Sequence, residues 1–173
     1  MSGYLLISAS PRSGNTQFVL NEIYKKLSGE KELISLKDKK IKHCRGCLSC
    51  HEKPECVIKD DMEGIRKKVL DSGVLIIGTP NYFGNVSGLM KDFIDRCHPF
   101  YKKELLKDKK VFFVFIGGGE KEDTREYMKN SISGFLKYLK LDSIGFYTFK
   151  ALKNDELRKN NIESDIKRIV KEI

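Results

Sequence analysis

Short apolar runs alternate with stretches of helical spacing along the chain, and this alternation constrains the fold more than any other feature. The runs at 4–8, 74–78 and 111–116 carry almost no polar residues, which is typical of strands buried on both faces of a sheet. Weaker strands are predicted at 32–36 and 144–149. Five strands separated by helices predict an α/β fold with a parallel sheet of order 2-1-3-4-5 and helices on both faces.

Helix starts are predicted from side chains that cap helix N-termini. In chain order the candidate caps are Asn15 or Thr16, Asp60 or Asp61, Ser87, and Asn154 or Asp155. Another helix is predicted over 124–140 from the spacing of its apolar residues. A length of 173 residues fits one domain, 1–173, around a single core, and no repeat or linker predicts a second one.

The chain carries 33 Lys and Arg against 24 Asp and Glu, a formal charge of +9. This charge could favour nucleic acid, an acidic protein or a phosphorylated small molecule. The lysines are scattered through predicted helices and no nucleic-acid-binding motif accompanies them, so we interpret them as solvated helix faces and expect no nucleic-acid partner. No apolar run approaches the roughly 18–20 residues needed to span a bilayer, and no signal-peptide pattern is present, so we expect no membrane partner and a cytoplasmic location.

The loop after the first strand combines hydroxyls, a guanidinium and backbone N–H groups at a helix start, which are the donors that a phosphate dianion needs. The candidate residues are Ser8, Ser10, Arg12, Gly14, Asn15 and Thr16. Neither G-x-G-x-x-G nor a Walker loop is present, so a monophosphate fits better than a pyrophosphate. An ordinary capped strand-to-helix turn would use the same residue types and remains an alternative.

Two further polar loops follow the third and fourth strands. Their candidate cofactor-binding residues are Thr79, Pro80, Asn81, Tyr82, Phe83, Gly84, Asn85, Gly117, Gly118 and Gly119. Because ligands of doubly wound sheets bind beyond the carboxyl ends of the strands at the topological switch, we expect the three loops to converge on one crevice. The two aromatic residues could alternatively close the core below their loop.

Three motifs in the predicted order carry a family resemblance. They are Ser10-Pro11-Arg12-x-Gly14-Asn15-Thr16, Thr79-Pro80-x-Tyr82-Phe83-Gly84-Asn85-Val86-Ser87 and Phe93-Ile94-Asp95-Arg96. Together they resemble the NADPH-dependent FMN reductase superfamily over roughly 4–119. The resemblance implies a flavodoxin-like fold, FMN, NAD(P)H as a candidate electron donor, and a homodimer or tetramer. It also implies that Ser10, Arg12, Asn15 and Thr16 bind the phosphate, that 80–85 border the isoalloxazine ring, and that 117–119 form a third wall.

Four of the five cysteines, Cys44, Cys47, Cys50 and Cys56, lie in a predicted loop at 37–59. The compact C-x2-C-x2-C spacing is typical of a four-iron, four-sulfur (4Fe-4S) cluster, and the segment resembles the iron-sulfur flavoprotein branch of the superfamily. Zinc and free thiols remain alternatives.

The residues around the cysteine loop are expected to lie outside the ligand set. We expect His43 and His51 to be second-sphere or surface groups, Cys97 to be a small buried residue, and Asp95 and Arg96 to pair structurally or at a subunit contact.

The sequence contains no hydrolase or metalloprotease constellation, and electron exchange at a flavin requires no catalytic side chain. We therefore expect a redox flavoprotein that accepts electrons from ferredoxin or NAD(P)H, with the cluster as a one-electron port. The positive charge favours an acidic carrier such as ferredoxin. A cluster-free NAD(P)H-dependent FMN or quinone reductase is the main alternative, and a flavin-free binding module is a rival from another class.

Overall fold

The computed structural model describes residues 3–173, which contain a five-stranded parallel sheet of order β2-β1-β3-β4-β5. The strands are β1 (Tyr4–Ser8), β2 (Lys31–Ser35), β3 (Val74–Pro80), β4 (Lys110–Gly117) and β5 (Asp142–Lys150). The α-helices are α1 (Asn15–Lys26), α2 (Met62–Asp71), α3 (Gly88–Arg96), α4 (Lys121–Leu139) and α5 (Glu163–Glu172). The flavodoxin-like architecture and the predicted strand order are confirmed.

Two hydrophobic layers cover the sheet because the side chains of each strand alternate between its faces. On β4, Phe113 and Phe115 join the layer formed with α2, α3 and α4, whereas Phe112 and Val114 join the layer formed with α1 and α5. All four are fully buried, and burying each such side chain contributes roughly 1.5–3 kcal/mol. Burial on both faces explains why the central strands have uninterrupted apolar sequences.

One predicted helix cap and one predicted helix start are wrong. The helix α1 begins at Asn15, with Gly14 at the N-cap position, so neither Asn15 nor Thr16 caps it. The last helix starts at Glu163 instead of Asn154 or Asp155, because the chain first forms a 3-10 turn over Glu156–Lys159.

The predicted capping residues at the starts of α2 and α3 do accept hydrogen bonds from helix N–H groups. The Ser87 cap of α3 is confirmed, since its Oγ accepts a hydrogen bond from the Met90 N–H at 3.2 Å. The Asp60 carboxylate accepts from the Met62 N–H at 3.1 Å at the start of α2. By contrast α4 starts three residues before the predicted 124, at Lys121.

The segment between β2 and α2 contains short 3-10 turns and otherwise irregular backbone. The Asp60 carboxylate accepts a hydrogen bond from the Lys42 N–H at 2.9 Å, and the Asp61 carboxylate accepts one from the Lys40 N–H at 2.7 Å. These bonds join the two stems of the cysteine loop. Across the described part of the chain, no helix is long and apolar enough to cross a membrane.

Candidate functional site

The loops that follow β1, β3 and β4 are tied together at the carboxyl edge of the sheet. The Ala9 N–H donates to the Gly78 carbonyl at 2.8 Å, and the Asn81 N–H donates to the Ile116 carbonyl at 2.7 Å. The Ser87 hydroxyl donates to the Ala9 carbonyl, which joins the start of α3 to the first loop. The predicted convergence of the three loops is therefore present in the structure.

The first loop presents donors at the N-terminus of α1. The Ser10 Oγ donates to the Arg12 carbonyl at 2.9 Å and holds the loop in a tight turn, while the Arg12 side chain is exposed. Among the described residues, no side chain caps the first turn of α1, so its N–H groups have no side-chain acceptor. An uncapped helix N-terminus beside an exposed guanidinium attracts an anion.

The Asn15 side chain has a different role from the one expected. Its Nδ2 donates to the Lys153 carbonyl at 2.8 Å, and its Oδ1 accepts from the Leu157 N–H at 3.1 Å. The side chain is thus bound to the segment after β5, and its backbone N–H is the group that remains at the helix start. A long-range contact of this kind leaves no local sequence signal.

The loop after β3 is a tight reversal with two left-handed residues. Hydrogen bonds between the Tyr82 N–H and Asn85 carbonyl, at 2.9 Å, and between the Asn85 N–H and Tyr82 carbonyl, at 3.1 Å, close it. Phe83 and Gly84 have φ of 53° and 74°, as in a type I′ turn. The Phe83 side chain is fully exposed, so it does not close the core.

Two polar atoms at the carboxyl ends of β1 and β3 have no hydrogen-bond partner among the described residues. The side-chain oxygens Ser8 Oγ and Asn81 Oδ1 are buried and accept no hydrogen bond from any residue in 3–173. Close packing surrounds the third loop, because a Cβ on Gly117 would lie 2.8 Å from the Thr124 side chain. Gly118 and Gly119 are exposed beside it. The remaining candidates of these loops divide into buried residues and more accessible ones: Gly14, Thr16, Thr79 and Pro80 are buried, and Tyr82 and Asn85 are exposed.

The cysteine loop surrounds a cavity of its own. All four clustered cysteines line a cavity of about 60 Å³ together with Arg96 and His98. Left-handed Gly46 (φ 63°) and Leu48 (φ 58°) reverse the chain between the first three cysteines. Cys44 and Cys47 are exposed, whereas Cys50 and Cys56 are half-buried.

Neighbouring groups shift the thiol pKa values in opposite directions. Hydrogen bonds from Ser49 lower the pKa of Cys47, and burial raises the pKa of Cys50. The Sγ of Cys50 lies 3.2 Å from Nδ1 of His98. Cys97 is fully buried, as predicted, and burial raises its pKa.

The histidines near the cysteines differ in their contacts. His43 Nδ1 pairs with Asp92 at 2.6 Å, and this hydrogen bond raises the pKa of His43. His51 stacks on His98 with 4.8 Å between ring centroids and 9° between planes, so their 3.5 Å Nε2···Nε2 approach is a stacking contact. Neither predicted surface histidine contacts a cysteine sulfur directly in the part of the chain that is described.

Arg96 forms a buried ion pair that the sequence did not reveal. Its guanidinium binds the Asp60 carboxylate with N···O distances of 2.7 and 3.0 Å, and both side chains are almost fully buried. Asp95 instead pairs with Lys91 at the surface. Structural pairing of Asp95 and Arg96 is therefore confirmed, with partners that spacing alone does not identify. His98 beside Cys50 was likewise missed, because 48 residues separate them.

Comparisons with known proteins agree with this geometry. The family model described as NADPH-dependent FMN reductase matches residues 4–147. An iron-sulfur flavoprotein from Archaeoglobus fulgidus is 38% identical over 131 residues, covering 74% of this chain and 65% of that protein. Another, from Methanocaldococcus jannaschii, is 37% identical over 131 residues, covering 72% of this chain and 68% of that protein. The match to the Archaeoglobus protein thus spans just under two thirds of that relative's length.

Solved structures show the same architecture. An FMN-dependent NADH-azoreductase from Bacillus anthracis, in complex with FMN, superposes with a TM-score of 0.67 at 18% identity and covers 98% of this chain and 100% of its own. Similarity at this identity supports the fold alone. The family match and the relatives above 30% identity establish the family: this chain belongs to the NADPH-dependent FMN reductases, a family of oxidoreductases, and is similar to the iron-sulfur flavoproteins.

Proposed function

We propose that the protein is an FMN-dependent oxidoreductase that passes electrons between a donor and an acceptor, and that residues 1–173 form one FMN-binding domain. The observation that carries this proposal is the convergence of three polar loops at the carboxyl ends of β1, β3 and β4, beside an uncapped helix N-terminus. Bound FMN would supply exchange of electrons singly or in pairs. The protein's own part is to bind the cofactor, orient it and limit access of water.

The residues present fit the two ends of FMN. The backbone N–H groups at the start of α1, the Ser10 hydroxyl and the Arg12 guanidinium would hold the phosphate. The loop 79–85 and the glycines 117–119 would border the ring. The unpartnered buried Oδ1 of Asn81 supports this assignment, since a ring N–H would satisfy an acceptor that the protein leaves free.

Removal of the Arg12 charge tests the phosphate assignment. Arg12→Gln should weaken FMN binding about 10- to 150-fold, because a hydrogen bond to a charged group contributes about 1.5–3 kcal/mol. Lys25→Gln removes the same charge from an exposed position near the other end of α1 and should leave the affinity unchanged. Fluorescence titration of the apoprotein measures both. Equal affinities for wild type and Arg12→Gln would place the phosphate elsewhere.

We further propose that Cys44, Cys47, Cys50 and Cys56 hold a 4Fe-4S cluster. A zinc ion needs four ligand atoms about 2.0–2.3 Å from one point, and within residues 3–173 no three His, Cys, Asp or Glu side chains are grouped closely enough for a metal ion. A four-iron cluster takes one thiolate per iron, so its ligands surround a volume. Four cysteines that line one cavity are the observation that supports the cluster.

Anaerobic reconstitution with iron and sulfide tests the cluster. We expect about four irons per chain, lost when any one of the four cysteines is replaced by Ala. Cys97→Ala is the matched control, because this buried thiol lies outside the cavity lining and should not affect iron content. A wild-type protein that binds FMN but no iron would instead be a cluster-free NAD(P)H-dependent FMN or quinone reductase, which the family match equally supports.

Two partners follow from charge and from exposed apolar side chains. An acidic one-electron carrier such as ferredoxin suits the net charge of +9, and its electron transfer should slow as ionic strength rises above about 0.1 M. NAD(P)H is the alternative donor, supported by the family description.

A second copy of the chain would cover the exposed side chains of Phe83, Tyr127 and Leu152 near the loops, giving a homodimer or tetramer. Light scattering of the FMN-loaded protein tests the oligomeric state.

A further inference from the structure

Arg96 is buried at the end of α3, and its contacts extend to both stems of the cysteine loop. Its side chain is 0% exposed. One Nη1 hydrogen bond reaches the Lys42 carbonyl at 2.7 Å, two residues before Cys44, and one from Nη2 reaches the Ile58 carbonyl at 3.3 Å, two residues after Cys56. The guanidinium therefore joins the residues that flank the first and last cysteines of the cluster.

The remaining contacts of Arg96 account for its other terminal hydrogens. Nη1 and Nη2 each also donate to the Asp60 carboxylate, at 2.7 and 3.0 Å. A guanidinium has five N–H donors, and these four bonds use the four on Nη1 and Nη2. The fifth, on Nε, is buried and has no partner among the described residues. Because a buried donor without a partner is unfavourable, this N–H is available to an acceptor in the cysteine cavity that Arg96 lines.

The ion pair is oriented with its positive member toward the cysteines. Arg96 lines the cavity with Cys50 and Cys56, whereas Asp60 is not part of that lining and faces the groove between β2 and α2. Two hydrogen bonds to the Asp60 carboxylate and two to loop carbonyls hold Arg96 as a fixed cation at the inner wall.

We propose that Arg96 is a positioning residue of the cysteine site, which fixes both stems of the loop and whose guanidinium stabilises the negative charge that the cluster gains on reduction. This inference rests on the proposed cluster. The step adds one electron from an external one-electron donor, with no bond broken and no proton transferred. A fixed cation beside the cluster favours the reduced form and therefore raises the reduction potential.

The test uses two variants that break the same ion pair with opposite changes of charge. Arg96→Gln removes the cation and leaves Asp60, so the equilibrium constant for reduction should fall at least about tenfold, which is about 59 mV for one electron. Asp60→Asn removes the anion and leaves Arg96, so the potential should rise. If the ion pair had a purely structural role, the reduction potentials of both variants would shift in the same direction or would not shift.

The measurement is a dithionite titration of the reconstituted, FMN-loaded protein, followed by the spectrum of the cluster, with iron content determined for each sample. Arg168→Gln breaks an exposed ion pair on α5 with the same loss of charge and should leave the potential unchanged. If Arg96→Gln holds no cluster, the test uses Asp60→Asn and Arg96→Lys instead. A higher reduction potential in Asp60→Asn, with little change in Arg96→Lys, supports the inference. If the iron-loaded variants have unchanged reduction potentials, or potentials that shift in the same direction, the role of Arg96 is overturned and the cluster proposal stands. Wild-type protein without iron overturns the cluster proposal and this inference together.

Discussion

Replacing Asn15 should destabilise the fold far more than its position at a helix start suggests. Asn15→Ala removes two hydrogen bonds, one to the Lys153 carbonyl and one from the Leu157 N–H. Leu157 is buried, so its N–H would lose its partner at a cost of about 1–3 kcal/mol, whereas the carbonyl of exposed Lys153 can bind water and loses about 0.5–1.5 kcal/mol. The sum is about 1.5–4.5 kcal/mol, out of the roughly 5–15 kcal/mol typical of a domain.

Urea unfolding of the apoprotein measures this loss as a lower midpoint with an unchanged slope. Asn15→Asp keeps the acceptor for the Leu157 N–H and should fall between wild type and Asn15→Ala. Asn21→Ala on the same helix, whose side chain accepts a bond from Gln17 at 3.3 Å, is the control and should change stability by no more than about 0.5 kcal/mol. A loss below about 1 kcal/mol in Asn15→Ala would refute the reasoning that this side chain anchors the segment after β5.

Three further predictions concern single groups. In the reduced, metal-free protein, iodoacetamide should modify Cys47 well before Cys97, because hydrogen bonds from Ser49 lower the pKa of Cys47 and burial raises the pKa of Cys97. Simultaneous labelling of both thiols in peptide mass mapping would contradict this. Phe83→Gly should stabilise the monomer by roughly 1 kcal/mol, since an exposed side chain is replaced where φ is positive, and a lower urea midpoint would count against it. Burial and then the hydrogen bond to Asp165 raise the pKa of Tyr147 to about 12. The folded state holds this proton more tightly than the unfolded state, so the stabilisation is present below pH 10 and is lost between pH 10 and about 12. Phenolate absorbance in that range should show one tyrosine that ionises later than the others, and Asp165→Asn should lower the pKa of that tyrosine.

The fold could be predicted from the sequence because its signal is local. Strands such as Val74–Pro80 are buried on both faces, so their apolar runs identify them without any knowledge of their neighbours. Polar loops at strand ends then give the position of the crevice, since parallel strands end at the same edge. The predicted cap at Ser87 succeeded for the same reason, because the cap and its partner Met90 are three residues apart.

The errors and omissions involve contacts between distant residues. Asn15 has the composition of a helix cap, yet its side chain is bound by a segment about 140 residues later. Asp60 is a residue type that commonly caps helices, and it does accept a hydrogen bond from the Met62 N–H. Its main partner, however, is Arg96, 36 residues away. His98 reaches Cys50 across 48 residues. No periodicity or spacing encodes such pairs, because they depend on how loops pack after the sheet has formed.

The contact between Asn15 and the segment after β5 also bears on when the cofactor could bind during synthesis. The first loop is translated well before its anchoring partners, the Lys153 carbonyl and the Leu157 N–H, which lie about 140 residues further along the chain. A nascent chain that ends before residue 157 would hold the start of α1 less firmly, even if β1, β3 and β4 had already paired. Capture of flavin by a ribosome-bound chain should therefore rise sharply once this segment has emerged.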